Sequence, residues 1–212
     1  MKQFYWDDTA LVATPEAASE ALEIIRSLSK ETGLNIKWSK SHLYGTVELV
    51  ERCKSLSAPG FPNGVVFHDS YDMIYLKAPI GSDKFVSEWL ETKLSKLGDI
   101  VNAISLMHEG FTLLKSCAAE CRVMYLMRFI PPRQLVRFME GFDKLLKKGF
   151  EGLLGIKIEE KCWRLAQLPA KFGDMAVRSE LRTFGAQHLC SLAKSAHNVE
   201  RMGCCNCRQM RN

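Results

Sequence analysis

Hydrophobic and polar positions follow two regimes along the chain. Up to about Gly81 the apolar residues come in short runs separated by turn formers. Phe4-Tyr5-Trp6 and Ala10-Leu11-Val12 flank Asp7-Asp8, which predicts two short strands around a polar turn within residues 2–13. Thr14-Pro15-Glu16 then opens a helix: Thr14 can cap it, Pro15 suits the first helical position and Glu16 suits its positive end. Ala18, Leu22, Ile25 and Leu28 give that helix one apolar face, and Gly33 ends it. Beyond it the pattern predicts a strand over Leu34–Tyr44, a short helix over Val47–Leu56 and a loop over Ala58–Gly64. Val65–His68 and Met73–Leu76 read as strands paired with each other, with Pro79-Ile80-Gly81 closing the section.

From Asp83 the period becomes helical. Val86, Leu90, Leu94, Leu97, Val101 and Ile104 form a continuous stripe. Further helices are expected over 110–130, 133–154, 158–168 and 178–199, with Pro131-Pro132 as a break because Pro disfavours helix in the residue before it. The fold class is therefore α+β: short antiparallel strands with a helix, followed by an all-helical bundle. The expected divisions are 1–81, 82–155, a helical extension over 156–203 and a tail over 204–212.

With 47% apolar and 25% charged residues in 212, the chain has enough apolar material for a core, which argues against global disorder. The net charge of +5 is informative through its location. Residues 113–148 hold eight basic side chains against three acidic ones. Among them Arg133, Arg137, Lys144 and Lys148 fall at four- and seven-residue steps, with Lys147 beside them, so a helix can present them together to a phosphate backbone. Trp89, Phe129, Phe138 and Phe142 are expected in the core rather than as stacking platforms. The N-terminus does not read as a signal peptide, since Asp7 and Asp8 interrupt its apolar stretch. No apolar run approaches the roughly 18 residues of a membrane span. A cytoplasmic or nuclear protein that does not engage a membrane is expected.

Five of the eight cysteines, Cys53, Cys117, Cys121, Cys162 and Cys190, lie in apolar segments and read as reduced thiols acting as small hydrophobes. Cys204, Cys205 and Cys207, with His197 upstream, complete no zinc-binding pattern, so zinc is not expected and the basic tail reads as frayed. His42, His68, His108 and His188 stand isolated in sequence and are assigned no chemistry.

Asp7-Asp8 is the candidate for chemistry. Side chains of neighbouring strand residues point to opposite faces, but in a tight turn two adjacent carboxylates can reach one divalent ion. Tyr5-Trp6-Asp7-Asp8 is similar to the Tyr-x-Asp-Asp signature of reverse transcriptases. Gly33-Leu34-Asn35-Ile36-Lys37-Trp38-Ser39-Lys40-Ser41 resembles that family's Gly-Leu-x-aliphatic-Asn-x-x-Lys-small segment, and Leu76-Lys77-Ala78-Pro79-Ile80-Gly81 its Leu-Gly-x-Pro-Ile-Gly segment. Arg128-Phe129-Ile130-Pro131-Pro132 is similar to an Arg-x-x-Pro-Pro stretch between thumb-like helices. The resemblance spans about residues 3–180 and is to retrotransposon-type enzymes.

It implies a partial polymerase palm over 1–81 and a thumb over 82–155. Asp7 and Asp8 would hold Mg²⁺ or Mn²⁺, and Lys40 would lie near nucleotide phosphates, where it could donate a proton to pyrophosphate. Tyr5, Trp6, Pro79 and Gly81 would lie by primer and nucleotide, while Arg133, Arg137, Lys144, Lys147 and Lys148 would face the nucleic-acid backbone. Partners would be an RNA–DNA or other duplex and deoxynucleoside triphosphates.

Three positions depart from the pattern: Trp6 is bulkier than usual, Lys37 replaces Asn, and Lys77 replaces a Gly where backbone freedom is common. The family's earlier catalytic Asp and its fingers have no counterpart in residues 1–212, so the chain alone is expected not to polymerise. The alternatives are a non-catalytic nucleic-acid-binding module, or an interaction protein that self-associates through an exposed palm surface.

Overall fold

The computed structural model divides into two units, residues 1–73 and 74–212. It describes residues 2–5, 8–33, 36–56, 61–105, 109–118, 120–168, 175 and 177–201; the side chains of 2–9, 117–121 and 197–201 are outside that description.

In the first unit, Lys2–Tyr5 (β1) pairs antiparallel with Asp8–Leu11 (β2), from Lys2 opposite Leu11 to Tyr5 opposite Asp8. The helix Pro15–Thr32 (α1) starts where the sequence predicts. The Thr14 hydroxyl accepts the Ala17 N–H at 3.4 Å, Pro15 occupies the first turn, and Gly33 closes the helix at φ 73°. The expected apolar face is only half-buried, and Leu28 is exposed. Arg52 on the next helix, Val47–Ser55 (α2), meets Glu16 at 2.5 Å.

Among the described residues of 34–44, the expected strand is realised only at His42–Tyr44 (β3). Trp38–Lys40 instead forms a tight helical turn, in which Lys40 N–H donates to Lys37 C=O at 3.0 Å and Ser41 N–H to Trp38 C=O at 2.9 Å. The expected pairing of 65–68 with 73–76 is also replaced. Val66–His68 (β4) runs parallel to β3, His42 opposite Val66 and Tyr44 opposite His68. Parallel strands need a crossover, and α2 lies within it. Met73–Tyr75 (β5) pairs instead with Ala78–Ile80 (β6). Two residues suffice to turn that chain back, so the local partner wins over the remote one.

The second unit is helical. Asp83–Ile104 (α3) is capped by Ser82, whose hydroxyl accepts the Phe85 N–H at 3.3 Å. α3 packs on Pro132–Leu154 (α6), and β6 packs on α3. The β5–β6 hairpin thus belongs mostly with the helices, although the change in hydrophobic pattern falls near Gly81. The long helix expected over 110–130 is broken into Gly110–Leu113 (α4), a wide π-type turn over Leu114–Ala118 and Glu120–Phe129 (α5). Glu160–Ala166 (α7) and Glu180–Arg201 (α8) follow, and α8 packs on α5 and α6.

Leu97, Leu126, Met127, Leu135, Met139, Phe142 and Leu146 form the dry centre of this unit. Gly149 lets α6 approach closely: a Cβ there would collide with Val101 Cγ1. Phe138 and Phe142 are buried as expected, but Phe129 is 61% exposed and Trp89 only half-buried. Of the cysteines, Cys53 is buried, whereas Cys162 and Cys190 are exposed rather than serving as core hydrophobes.

Candidate functional site

The β1–β2 register leaves two residues, Trp6 and Asp7, between paired Tyr5 and Asp8. Trp6 and Asp7 lie outside the described residues, as do the side chains of Tyr5 and Asp8. Asp8 is the first residue of β2, and three residues separate the end of that strand from α1. Lys40 ends the Trp38–Lys40 turn with its side chain exposed. Gly64, at φ 99°, approaches the backbone of that turn: its Cβ position is 3.6 Å from Ser39 N.

The second motif forms the β5–β6 turn. Leu76 and Lys77 have φ 47° and 64°. Two consecutive positive angles define a type I′ hairpin turn, which Asn and Gly occupy at little cost. Lys77 stands in the left-handed region although it carries a Cβ, so the turn forms at the position where Lys replaces Gly and bears the strain. Pro79 is buried, and Gly81 adopts φ 149°. Pro79 tolerates strand β6 because a short edge strand can do without one amide donor.

Lys77 borders a feature that the sequence pattern did not assemble. Ile74, Lys77, Trp89, Thr92, Lys93, Lys96 and Tyr125 line a shallow concavity of about 290 Å³. Lys93 Nζ lies 6.0 Å from the centre of the Trp89 ring and 5.8 Å from that of Tyr125. Burial holds the Lys93 ammonium below the usual lysine range, and the positive charges of Arg122, Lys96 and Lys77 push it further down. Burial raises the Tyr125 phenol. Three lysines beside two aromatic rings line the concavity, with the charge of Arg122 acting on Lys93, an arrangement chemically suited to an anionic ligand that carries a planar ring. Part of the signal was legible: Trp89, Thr92, Lys93 and Lys96 share one face of α3 by spacing. Lys77 and Arg122 arrive from β5–β6 and α5, which spacing within one helix does not reveal.

On α6, Arg133, Arg137, Lys144 and Lys148 are all exposed. At 3.6 residues per turn they fall within an arc of about 60°, opposite the buried Leu135, Phe142 and Leu146. Two of the five predicted cations have acidic partners. Arg133 lies 3.6 Å from Asp83, which also accepts from the Gln134 side chain, and half-buried Lys147 meets Glu160 at 3.3 Å. Among the described residues no ion pair involves Arg137, Lys144 or Lys148.

The histidines treated as isolated are not all so. His42 and His68 come from β3 and β4, and His42 Nδ1 lies 3.0 Å from His68 Nε2. Tyr44 stacks on His68 with ring centres 4.5 Å apart and planes 9° from parallel. Parallel pairing across 26 residues left no local sequence signal for this cluster. Among the described residues no group of three or more His, Cys, Asp or Glu is arranged to hold a metal ion.

The class these features define is an α+β protein whose helical unit bears a cationic, aromatic-lined surface. Among the described residues no helix is long and apolar enough to cross a membrane. No protein-family model matches the chain, and no curated protein or solved structure matches it.

Proposed function

We propose that residues 1–212 carry palm and thumb elements of an RNA-directed DNA polymerase of retrotransposon type, and that their direct activity is to grip duplex nucleic acid. The observation that supports this most is the order of elements around the Asp pair. Asp8, the second residue of the Asp7-Asp8 motif, opens β2, which is followed by the capped helix α1 and, further on, by the β5–β6 turn bearing Lys77.

Strain retained at a non-glycine position is commonly found where a side chain is used. Lys77 borders the concavity with Lys93, Lys96, Trp89 and Tyr125, which suits phosphates and a stacked base at a primer end. Arg137, Lys144 and Lys148 offer a second basic face for backbone contact.

Two adjacent carboxylates are a donor set suited to Mg²⁺ or Mn²⁺. Bound there with substrate, such ions would stabilise the attacking and leaving oxygens of phosphoryl transfer. Asp7 and Asp8 would be the ligands in this segment, and Lys40 would serve the nucleotide phosphates. Residues 1–212 contain no further motif carboxylate for that site, so the reading gives them duplex binding and not unaided synthesis.

The test is titration of the purified chain with a labelled RNA–DNA hybrid at two salt concentrations, with and without Mg²⁺. Binding that weakens steeply with salt supports the proposal. No binding at low salt overturns it. Primer extension that vanishes in Asp7→Ala would overturn the inactivity of the chain alone while supporting the polymerase assignment.

A second reading is protein association through unit one, favoured by the exposure of Val12 (72%), Ile24 (60%) and Leu28 (51%). Concentration-dependent mass without hybrid binding would favour it.

A further inference from the structure

We propose that the concavity of the helical unit is a covalent capture site for an aldehyde that carries both a phosphate and an aromatic ring, and that Lys93 forms an imine with it. This activity lies beyond the grip on nucleic acid and is read with small molecules alone.

The side chains give each part of such a molecule a counterpart. Lys93 Nζ stands 6.0 Å from the centre of the Trp89 ring and 5.8 Å from that of Tyr125. A carbonyl carbon brought to this amine therefore arrives beside two aromatic walls, and a ring attached to that carbon can lie against either. Lys77, from the β5–β6 turn, and Lys96, from α3, line the same concavity and are both exposed. Each offers an ammonium with three donors to phosphate oxygens. Among the described residues that line the concavity there is no Asp or Glu to compete for them. Its volume, about 290 Å³, suits a small ligand.

The chemistry singles out the central lysine. Imine formation starts from the free amine, whose lone pair attacks the carbonyl carbon, and a lysine shielded from water beside other cations is the kind that reacts this way. Half-burial works against the Lys93 ammonium, and the positive charges of Arg122 on α5, Lys96 and Lys77 act in the same direction. The Tyr125 phenol, raised by burial, stays uncharged and supplies no anion that would restore the ammonium. In the reaction a C–N bond forms as the carbonyl π bond breaks. Both protons of the neutral amine pass to the carbonyl oxygen, which leaves as water, and a C=N bond remains. One amine and one aldehyde give one imine and one water, with no change of oxidation state.

Pyridoxal 5′-phosphate is the probe. The full chain is incubated with it, the imine is reduced with borohydride, and the labelled peptides are mapped by mass spectrometry. Contacts from Lys77 and Lys96 to the phosphate should favour Lys93 over the exposed Lys84 and Lys161 by at least about tenfold. Pyridoxal keeps the ring but lacks the phosphate, and glyceraldehyde 3-phosphate keeps the phosphate but lacks the ring. Each should label Lys93 at least about threefold less. Lys77→Gln and Lys96→Gln should each lower the yield at Lys93 by about threefold. In Lys93→Arg the saturable part of the imine absorbance should be lost. Equal labelling of Lys93, Lys84 and Lys161 overturns the proposal. So does equal labelling of Lys93 by pyridoxal and its phosphate, or a saturable imine signal that survives in Lys93→Arg. If a variant fails to fold, the wild-type peptide map with the three probes decides alone. Selective labelling of Lys93 in a chain that binds no hybrid would support this site while overturning the nucleic-acid grip, so the two readings fail separately.

Discussion

Asp143 on α6 accepts the backbone N–H of Glu180, the first residue of α8, at 3.1 Å. The same carboxylate accepts the Ser179 hydroxyl, so one helix supplies the N-terminal cap of another. Asp143→Ala leaves those part-buried donors without their acceptor and should destabilise the second unit by about 1–3 kcal/mol. Chemical denaturation followed by circular dichroism measures it. Asp143→Asn keeps an acceptor and should cost less.

The same residue predicts a pH effect. Burial pushes the Asp143 carboxyl above the ordinary range, against the opposing hydrogen bonds from Ser179, Glu180 and Leu181 and the charge of Arg182. The folded state then binds a proton more readily than the unfolded state. This group's contribution to stability therefore grows as pH falls through the folded value, levels off below about 3.9, and is lost as pH rises. Unfolding free energies of wild type and Asp143→Asn, measured from pH 3 to pH 7, should show the wild type gaining relative to the variant on the acid side.

Lys77→Gly relieves the left-handed strain at φ 64°. It should raise stability by about 1 kcal/mol, or the melting temperature by roughly 2–4 °C. The same change removes one cation of the concavity. A calorimetric melt and a hybrid titration on one sample should move in opposite directions, stability up and affinity down.

Lys93→Ala and Lys96→Ala should each reduce the salt dependence of hybrid binding, by about one unit of the log–log slope for each phosphate left without its lysine. Lys161→Ala, an exposed lysine of α7 away from both basic faces in sequence, serves as the comparison. An equal change in all three would mean that general charge, and not the concavity, governs binding.

Gly149→Ala gains about 1 kcal/mol in helix propensity but drives a methyl into Val101, a buried branched side chain with no flexible end to yield. Overpacking commonly costs about 1–3 kcal/mol, so the net effect should be a loss of up to about 2 kcal/mol. Thermal unfolding measures it, with Gly185→Ala on α8 as a control, since nothing lies within 4 Å of its Cβ position.

Helices were the most legible part of the chain. Ser82, Pro132, Gly33 and the Val86–Ile104 stripe act within a few residues of themselves, so the bounds of α1, α3 and α6 follow from local chemistry. Strand pairing was less so. β4 took β3 as its partner across a crossover, and β5 took β6 through a Leu-Lys turn that lacks the usual Asn-Gly signal. The break between α4 and α5 likewise has no proline or glycine to mark it. Of the candidate sites, the α6 basic face could be read from one helix. The Lys77–Lys93–Lys96–Arg122 cluster and the His42–His68 pair needed tertiary proximity from separate elements.

The parallel ladder between β3 and β4 is only three residues long and is closed by residues 45–65. Its formation must overcome the chain entropy of that closure before any ladder bond repays it. It should therefore assemble after α2 and open as a single cooperative step. Amide hydrogen exchange at Gly45, whose N–H donates to His68 C=O at 3.2 Å, then reports opening of the whole crossover rather than fraying of one strand.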